Sequence, residues 1–264
     1  MDVSLSVRRI IFIIPLIACL GLTACGNRFD LSKERGRQSR IDQANFFLSQ
    51  ENCGAALEAI NPLYASVYVD DEVRIIEASA YACSSRFRLL SMAGGIAGAS
   101  NFFAGMVKGL SGSGITNFYT ATDIMTGNGT RLAAGLRSAR ENTFMVFLQM
   151  GLIASILKNY GAPDSSGNKT AALVYTAVGN PAGRMADVDA CALTGAFSIL
   201  YDSYLGSTLT DVDTTGLANK LNAVCASAGF ASCSILNKDR SLCTGGNANS
   251  VNAQAVVAGV NASW

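Results

Sequence analysis

An all-α fold, irregular and stapled by disulfides, is the class this sequence predicts, and three observations carry it. Apolar residues recur three and four positions apart in a succession of segments between 40 and 227, the spacing that gathers them on one face of a helix. Turn formers interrupt the pattern where helices should stop: Glu51-Asn52-Cys53-Gly54, Tyr160-Gly161-Ala162-Pro163 and Asn180-Pro181. Beyond Cys25 the chain holds Cys53, Cys83, Cys191, Cys225, Cys233 and Cys243, an even set that three bridges would use up.

The chain opens with Arg8 and Arg9, an uncharged apolar run from Ile10 to Leu20, and then Leu22-Thr23-Ala24-Cys25. Basic region, apolar run and small-residue cleavage site are the layout of a secretory signal peptide. The run is shorter than the roughly 20 residues that span a bilayer. Leu22-Thr23-Ala24-Cys25 resembles the lipobox of bacterial lipoproteins. That resemblance covers this segment alone. It implies removal of residues 1–24, diacylglycerol on the Cys25 thiol, acylation of the new amino group, and so an anchor in the lipid bilayer. Gly26 stands where, in that family, an aspartate commonly retains the protein in the inner membrane. The resemblance therefore implies the outer membrane, with the domain facing the periplasm. An ordinary signal peptide or a first transmembrane helix, with Cys25 incidental, is the alternative.

Cleavage before Cys25 would leave 240 of 264 residues, enough for a single large domain. Loss of Arg8, Arg9 and Asp2 from 20 basic and 19 acidic residues leaves 18 of each. A balanced chain has no electrostatic reason to bind nucleic acid or anionic headgroups. Charged residues are 15% of the chain against about 25% in ordinary soluble domains, and small polar residues replace them. An exported domain permits three disulfides, in any of fifteen connectivities. The chain has no histidine and no CxxC, so a Cys/His zinc site is impossible and an all-Cys site lacks its close pairs.

Residues 25–39 read as a polar, lipidated tether, and 40–264 as one helical domain. Ile41, Ala44, Phe47 and Leu48 make the apolar face of a helix over Arg40–Ser49. Ala55–Ala65 is a second, with Leu57, Ile60, Leu63 and Tyr64 inward and Pro62 near its end. Asp70 or Asp71 would cap a third, from Glu72 to Ser84. Ala44 and Phe47 return thirty-four residues later as Ala78 and Tyr81, and Ala56 fits the small position of a second helix. On these residues 40–88 resemble a tetratricopeptide unit and the start of another, although Leu90 and Gly94 depart from the pattern. The resemblance implies a concave surface for a peptide or partner protein, with Arg40, Asn45, Arg74 and Glu77 on the helices that line it. Cys53 and Cys83 could meet in such a stack.

Leu89–Val107 carries no charge and many small residues. It reads as one buried central helix, or else as a membrane-grazing one. Lys108–Thr130, rich in Gly, Ser, Thr and Asn, reads as a loop, and its glycines lack the Lys-Ser/Thr pair of a phosphate loop. Arg131–Asn159 is the longest helical pattern, with Arg131, Arg137, Arg140 and Glu141 on its polar half. Residues 131–230 are expected to be helical as a region. Thr170–Val178 would suit helix or strand; Met185–Leu205 and Thr215–Ser227 are further helices. Cys191 could join Cys225, and Cys233 could join Cys243. Residues 231–264 are expected to be irregular, with Trp264 as an anchor.

No residue in the sequence stands out for catalysis, and no cofactor motif appears. Without histidine the commonest general base is missing, and the cysteines are better used as bridges. Carboxylate clusters remain at Asp70–Glu72, Asp187 with Asp189, and Asp211 with Asp213; the last lacks the later ligands of a calcium loop. An envelope hydrolase would need Asp123 or Asp187 about 5–9 Å from a second acid. The favoured expectation is a non-enzymatic envelope lipoprotein acting as an adaptor or assembly component with a protein partner. The alternative resembles the helical-repeat lipoprotein subunits found beside some tripartite transporters, and would handle a solute.

Overall fold

The computed structural model describes residues 30–97, 99, 101–179, 184–211, 215–244 and 246–264. The expected signal segment 1–24, Cys25, Gly26, Gly98, Ser100, Asn180, Pro181 and Asp213 lie outside the described residues, as does the side chain of Asp211. The described chain is an all-helical bundle with no sheet among these residues, closed by three disulfides. Its helices are α1 (Glu34–Ser49), α2 (Cys53–Tyr64), α3 (Asp71–Ser84), α4 (Leu89–Ala97), α5 (Phe102–Gly109), α6 (Ile115–Thr126), α7 (Ala139–Gly161), α8 (Asp187–Leu205), α9 (Thr215–Ser227) and α10 (Ala248–Ser263).

α1, α2 and α3 pack on one another in sequence order. Asn52 caps α2 through the Ala55 amide and Asp70 caps α3 through the Val73 amide, each satisfying a first-turn N–H. Ala44, Ala56 and Ala78 are fully buried, which lets the helix backbones come close. A small core between these helices joins Ala44 and Ala59 to Ile41, Ile60, Leu63, Val73 and Ile76, while Ala78 faces the main core. α1 begins at Glu34, six residues before the expected boundary, so the second part of the supposed tether is helical. Arg37 holds that first turn by donating to the carbonyls of Leu31 and Ser32.

Leu89–Val107 is not one helix. Asn101 accepts from the amides of Phe103 and Ala104 and so starts a new helix inside the uncharged run. α4 and α5 form a tight pair in which a Cβ on Gly95, Gly105 or Gly109 would strike the other helix's backbone. α5 is buried nearly throughout, as expected of the whole run, whereas Met92 is the one residue of α4 fully inside. The loop expected over 108–130 contains α6. Phe118, Ala121, Ile124 and Met125 recur at helical spacing and enter the core, and that burial overrides the low helix propensity of its threonines. Thr126 donates back to the Thr122 carbonyl, so the buried hydroxyl is satisfied within the helix.

α7 starts eight residues later than its apolar pattern, after a 3₁₀ turn at Ala134–Leu136, because Ser138 and Glu141 form a reciprocal capping box. It is long and apolar enough to cross a membrane, yet most of it is enclosed, with α6 and α8 packed along it. Residues 171–178 are neither helix nor strand. They run extended along α10, whose Asn261 and Gln254 accept from the amides of Leu173 and Ala177. These two acceptors stand two turns apart on one face of α10, replacing the neighbouring strand that is missing there. α10 itself corrects the irregular ending expected for 231–264: sixteen residues are helical, capped by Asn247. Trp264 closes the chain by donating from its indole to the Gly167 carbonyl at 2.9 Å.

Cys53 pairs with Cys83 across α2 and α3. The other two bonds differ from the expected pairing. Cys191 of α8 joins Cys243, and Cys225 of α9 joins Cys233, with Cα separations of 5.8 and 5.4 Å. The 3₁₀ turn at Arg240–Leu242 packs along α8 and brings Cys243 to Cys191, while the chain leaving α9 folds back at once through a Phe230 amide to Cys225 carbonyl bond.

Candidate functional site: an apolar groove beside α3 and α7

Ile75 of α3, Phe87 of the following turn, Leu89 at the start of α4, and Phe144 and Phe147 of α7 line an open groove of about 380 Å³. Arg140, Thr143 and Thr208 form its rim. Phe144 and Phe147 are three apart and so share a face of α7, and with Ile75 of α3 they are half-buried against the main core. Phe87 is held by an edge-on contact with Phe118, ring centres 5.8 Å apart. At the rim Arg140 reaches Glu72 at 3.5 Å, and Thr143 meets the Thr208 hydroxyl at 3.2 Å. Leu89, which lines the groove, and its chain neighbour Leu90 are 46% and 86% exposed.

The residues expected on a concave ligand face do not converge. Asn45 is exposed and Arg40 half-buried on α1. Arg74 is drawn inward to Glu141 and Asp71, at 2.8 and 2.7 Å. Glu77 is buried. Arg131 and Glu141, assigned from the sequence to a polar helix face, instead form a buried charge centre. Arg131 donates twice to Glu141, at 2.8 and 2.6 Å, and Glu141 has no exposed surface. Burial pushes the Glu141 carboxyl up, but the hydrogen bonds from Arg131, Arg74 and the Ser138 amide prevail and hold it at about 2. Arg137, buried beside this centre, is lowered to about 10 by desolvation and by the nearby Arg131. It donates to Asn142, Ser203 and two backbone carbonyls. Ser138-x-x-Glu141 is a capping-box pattern that the reading of one helix over Arg131–Asn159 did not use, and nothing local indicated Arg74.

The carboxylates of Asp70–Glu72, Asp189 and Asp123 are occupied by structural partners. Asp70 is a cap, Asp71 pairs with Arg74, and Glu72 with Arg140. Asp189 accepts from both Tyr119 and Tyr160, whose phenols are raised first by burial and then by that bond. Asp123 is gripped through both oxygens by Arg240 at 2.6 Å, and the Arg240 guanidinium lies over the Tyr119 ring. Among the described residues no three His, Cys, Asp or Glu side chains converge to hold a metal ion. Next to the Asp123–Arg240 pair is a polar cavity of about 250 Å³ lined by Thr122, Thr126, Asn128, Lys238 and Ser241.

No family model, curated protein or solved structure matches the chain.

Proposed function

We propose that the chain is a lipoprotein anchored in the outer membrane through acylated Cys25, and that its helical domain is a non-enzymatic adaptor holding a segment of an envelope protein. The single observation behind the adaptor reading is the uncovered groove of Ile75, Phe87, Leu89, Phe144 and Phe147, next in the chain to the exposed Leu90. A helical or extended segment inserting two or three apolar side chains would fill such a groove, and Arg140 at the rim would favour a neighbouring acidic residue. The tetratricopeptide-like reading of α1–α3 is supported by the burial of Ala44, Ala56 and Ala78. The anchor is supported by Leu22-Thr23-Ala24-Cys25.

The test places a photoreactive benzoylphenylalanine at Leu90 in intact cells. The expected outcome is a discrete protein adduct whose yield falls roughly tenfold with Phe144→Asp or Phe147→Asp, about 1.4 kcal/mol of binding. A probe at exposed Val251 on α10 should give no such adduct. An adduct indifferent to the groove substitutions would overturn the adaptor reading. A second reading, solute handling beside a transporter, is favoured by the polar cavity around Asp123 and Arg240, and titration with polyhydroxylated or amino-acid solutes would test it. Mass spectrometry of the envelope protein tests the anchor: loss of residues 1–24 and added acyl mass on Cys25 are expected.

A further inference from the structure

Glu77 sits in the middle of α3 at 3% exposure, and its Oε2 is enclosed without a hydrogen-bond partner. Its position is a seam between two cores. Val73 and Ile76 belong to the small core of α1 and α2, whereas Ala78 and Ala82 belong to the main core with Phe118, Ala121 and Met125 of α6. The ionisable groups around this seam are Tyr64 at the end of α2, Arg74 and Tyr81 of α3, Asp123 of α6, Glu141 of α7, and Arg37 and Arg40 of α1. Arg74 is turned to Asp71 and Glu141, Asp123 is held by Arg240 and Arg37 reaches backbone carbonyls, so these charges are engaged elsewhere. A carboxylate in this place would be a buried charge with nothing to offset it, a state that folded proteins avoid by keeping the acid neutral.

We propose that Glu77 is a proton-sensitive latch: as a neutral acid it lets α3 pack between the two cores, and loss of its proton loosens the α1–α3 unit from α6. Burial raises the Glu77 carboxyl to about 7, which puts the transition near neutrality. The Cys53–Cys83 bond ties α2 to α3 on either side of that transition, so the unit would move as one body.

Hydrogen exchange of the disulfide-intact full chain, corrected for intrinsic rates, tests it. Between pH 6 and 8 the protection of amides in α3 and α6 should fall by roughly tenfold, the change expected one unit above the midpoint. Glu77→Gln should remove this dependence. Equal pH dependence in both proteins would overturn the latch. A ¹³C titration of the Glu77 carboxyl in the unsubstituted protein needs no variant to fold. A midpoint near 7 is the expected result, and one near 4.5 would overturn the proposal as well.

Discussion

Two buried glutamates, one helix apart in the packing, show how far a side chain's chemistry depends on its partners. Glu141 is fully enclosed but accepts from Arg74, Arg131 and the Ser138 amide. Its carboxyl is held at about 2 against an ordinary 4.5, so the stability it contributes is fully present above 4.5 and is lost as pH falls through 2. That contribution is on the order of 3 kcal/mol. Glu141→Ala should cost about 3–5 kcal/mol at pH 7 in urea unfolding, because Arg74 and Arg131 would be left part-buried and unpaired. Glu77 has the opposite sign. Its folded value lies above 4.5, so stability is highest below 4.5 and declines until about pH 7. Glu77→Gln should flatten that decline and leave the variant more stable than the parent at pH 8, as read from urea midpoints.

At the scale of elements, side chains do work that the backbone pattern leaves undone. The extended stretch 171–178 has no neighbouring strand, and Asn261 alone accepts from both the Leu173 amide and the Lys169 ammonium. Asn261→Ala should therefore cost about 1–3 kcal/mol through an unpaired amide. Exchange protection should be lost first at Leu173. Gly161, the last residue of α7, lies against the Trp264 ring, and a methyl group there would collide with it. Gly161→Ala should displace the indole, with a red shift of tryptophan fluorescence as its bond to Gly167 opens. The α4–α5 pair makes the same point through glycine: close backbone approach needs residues without a Cβ, and a single Gly105→Leu should separate the helices.

For the whole molecule, the disulfides close loops of different length. The sequence separations are 52 for Cys191–Cys243, 30 for Cys53–Cys83 and 8 for Cys225–Cys233. On the chain-entropy estimate they restrict the unfolded chain by about 4, about 3.6 and about 2.5 kcal/mol respectively. Removing Cys191 and Cys243 together should lower the urea midpoint most, and removing Cys225 and Cys233 least. Non-reducing peptide mapping should return these three pairs and no Cys191–Cys225 peptide.

The amino-acid sequence by itself determined the class of the molecule. Apolar residues at helical spacing built helices over most of Arg40–Ser84, Met185–Leu205 and Thr215–Ser227, and the pattern over Arg131–Asn159 did so from Ala139 on, because burying such a stripe needs nothing beyond a neighbouring surface. Cysteine number and the turn formers were equally local signals. What only the tertiary structure decided was everything that depends on which elements meet. α6 is a helix because its apolar residues find the core, despite a loop-like composition. Asn101 splits an uncharged run that no charge or proline marks as broken. Cysteine partners follow from the packing of the Arg240–Leu242 turn on α8, and Arg74 reaches Glu141 across 67 residues of chain. The groove has the same origin: it is the packing of α3 and α7 that brings Ile75, Phe144 and Phe147 together and leaves them part open to solvent.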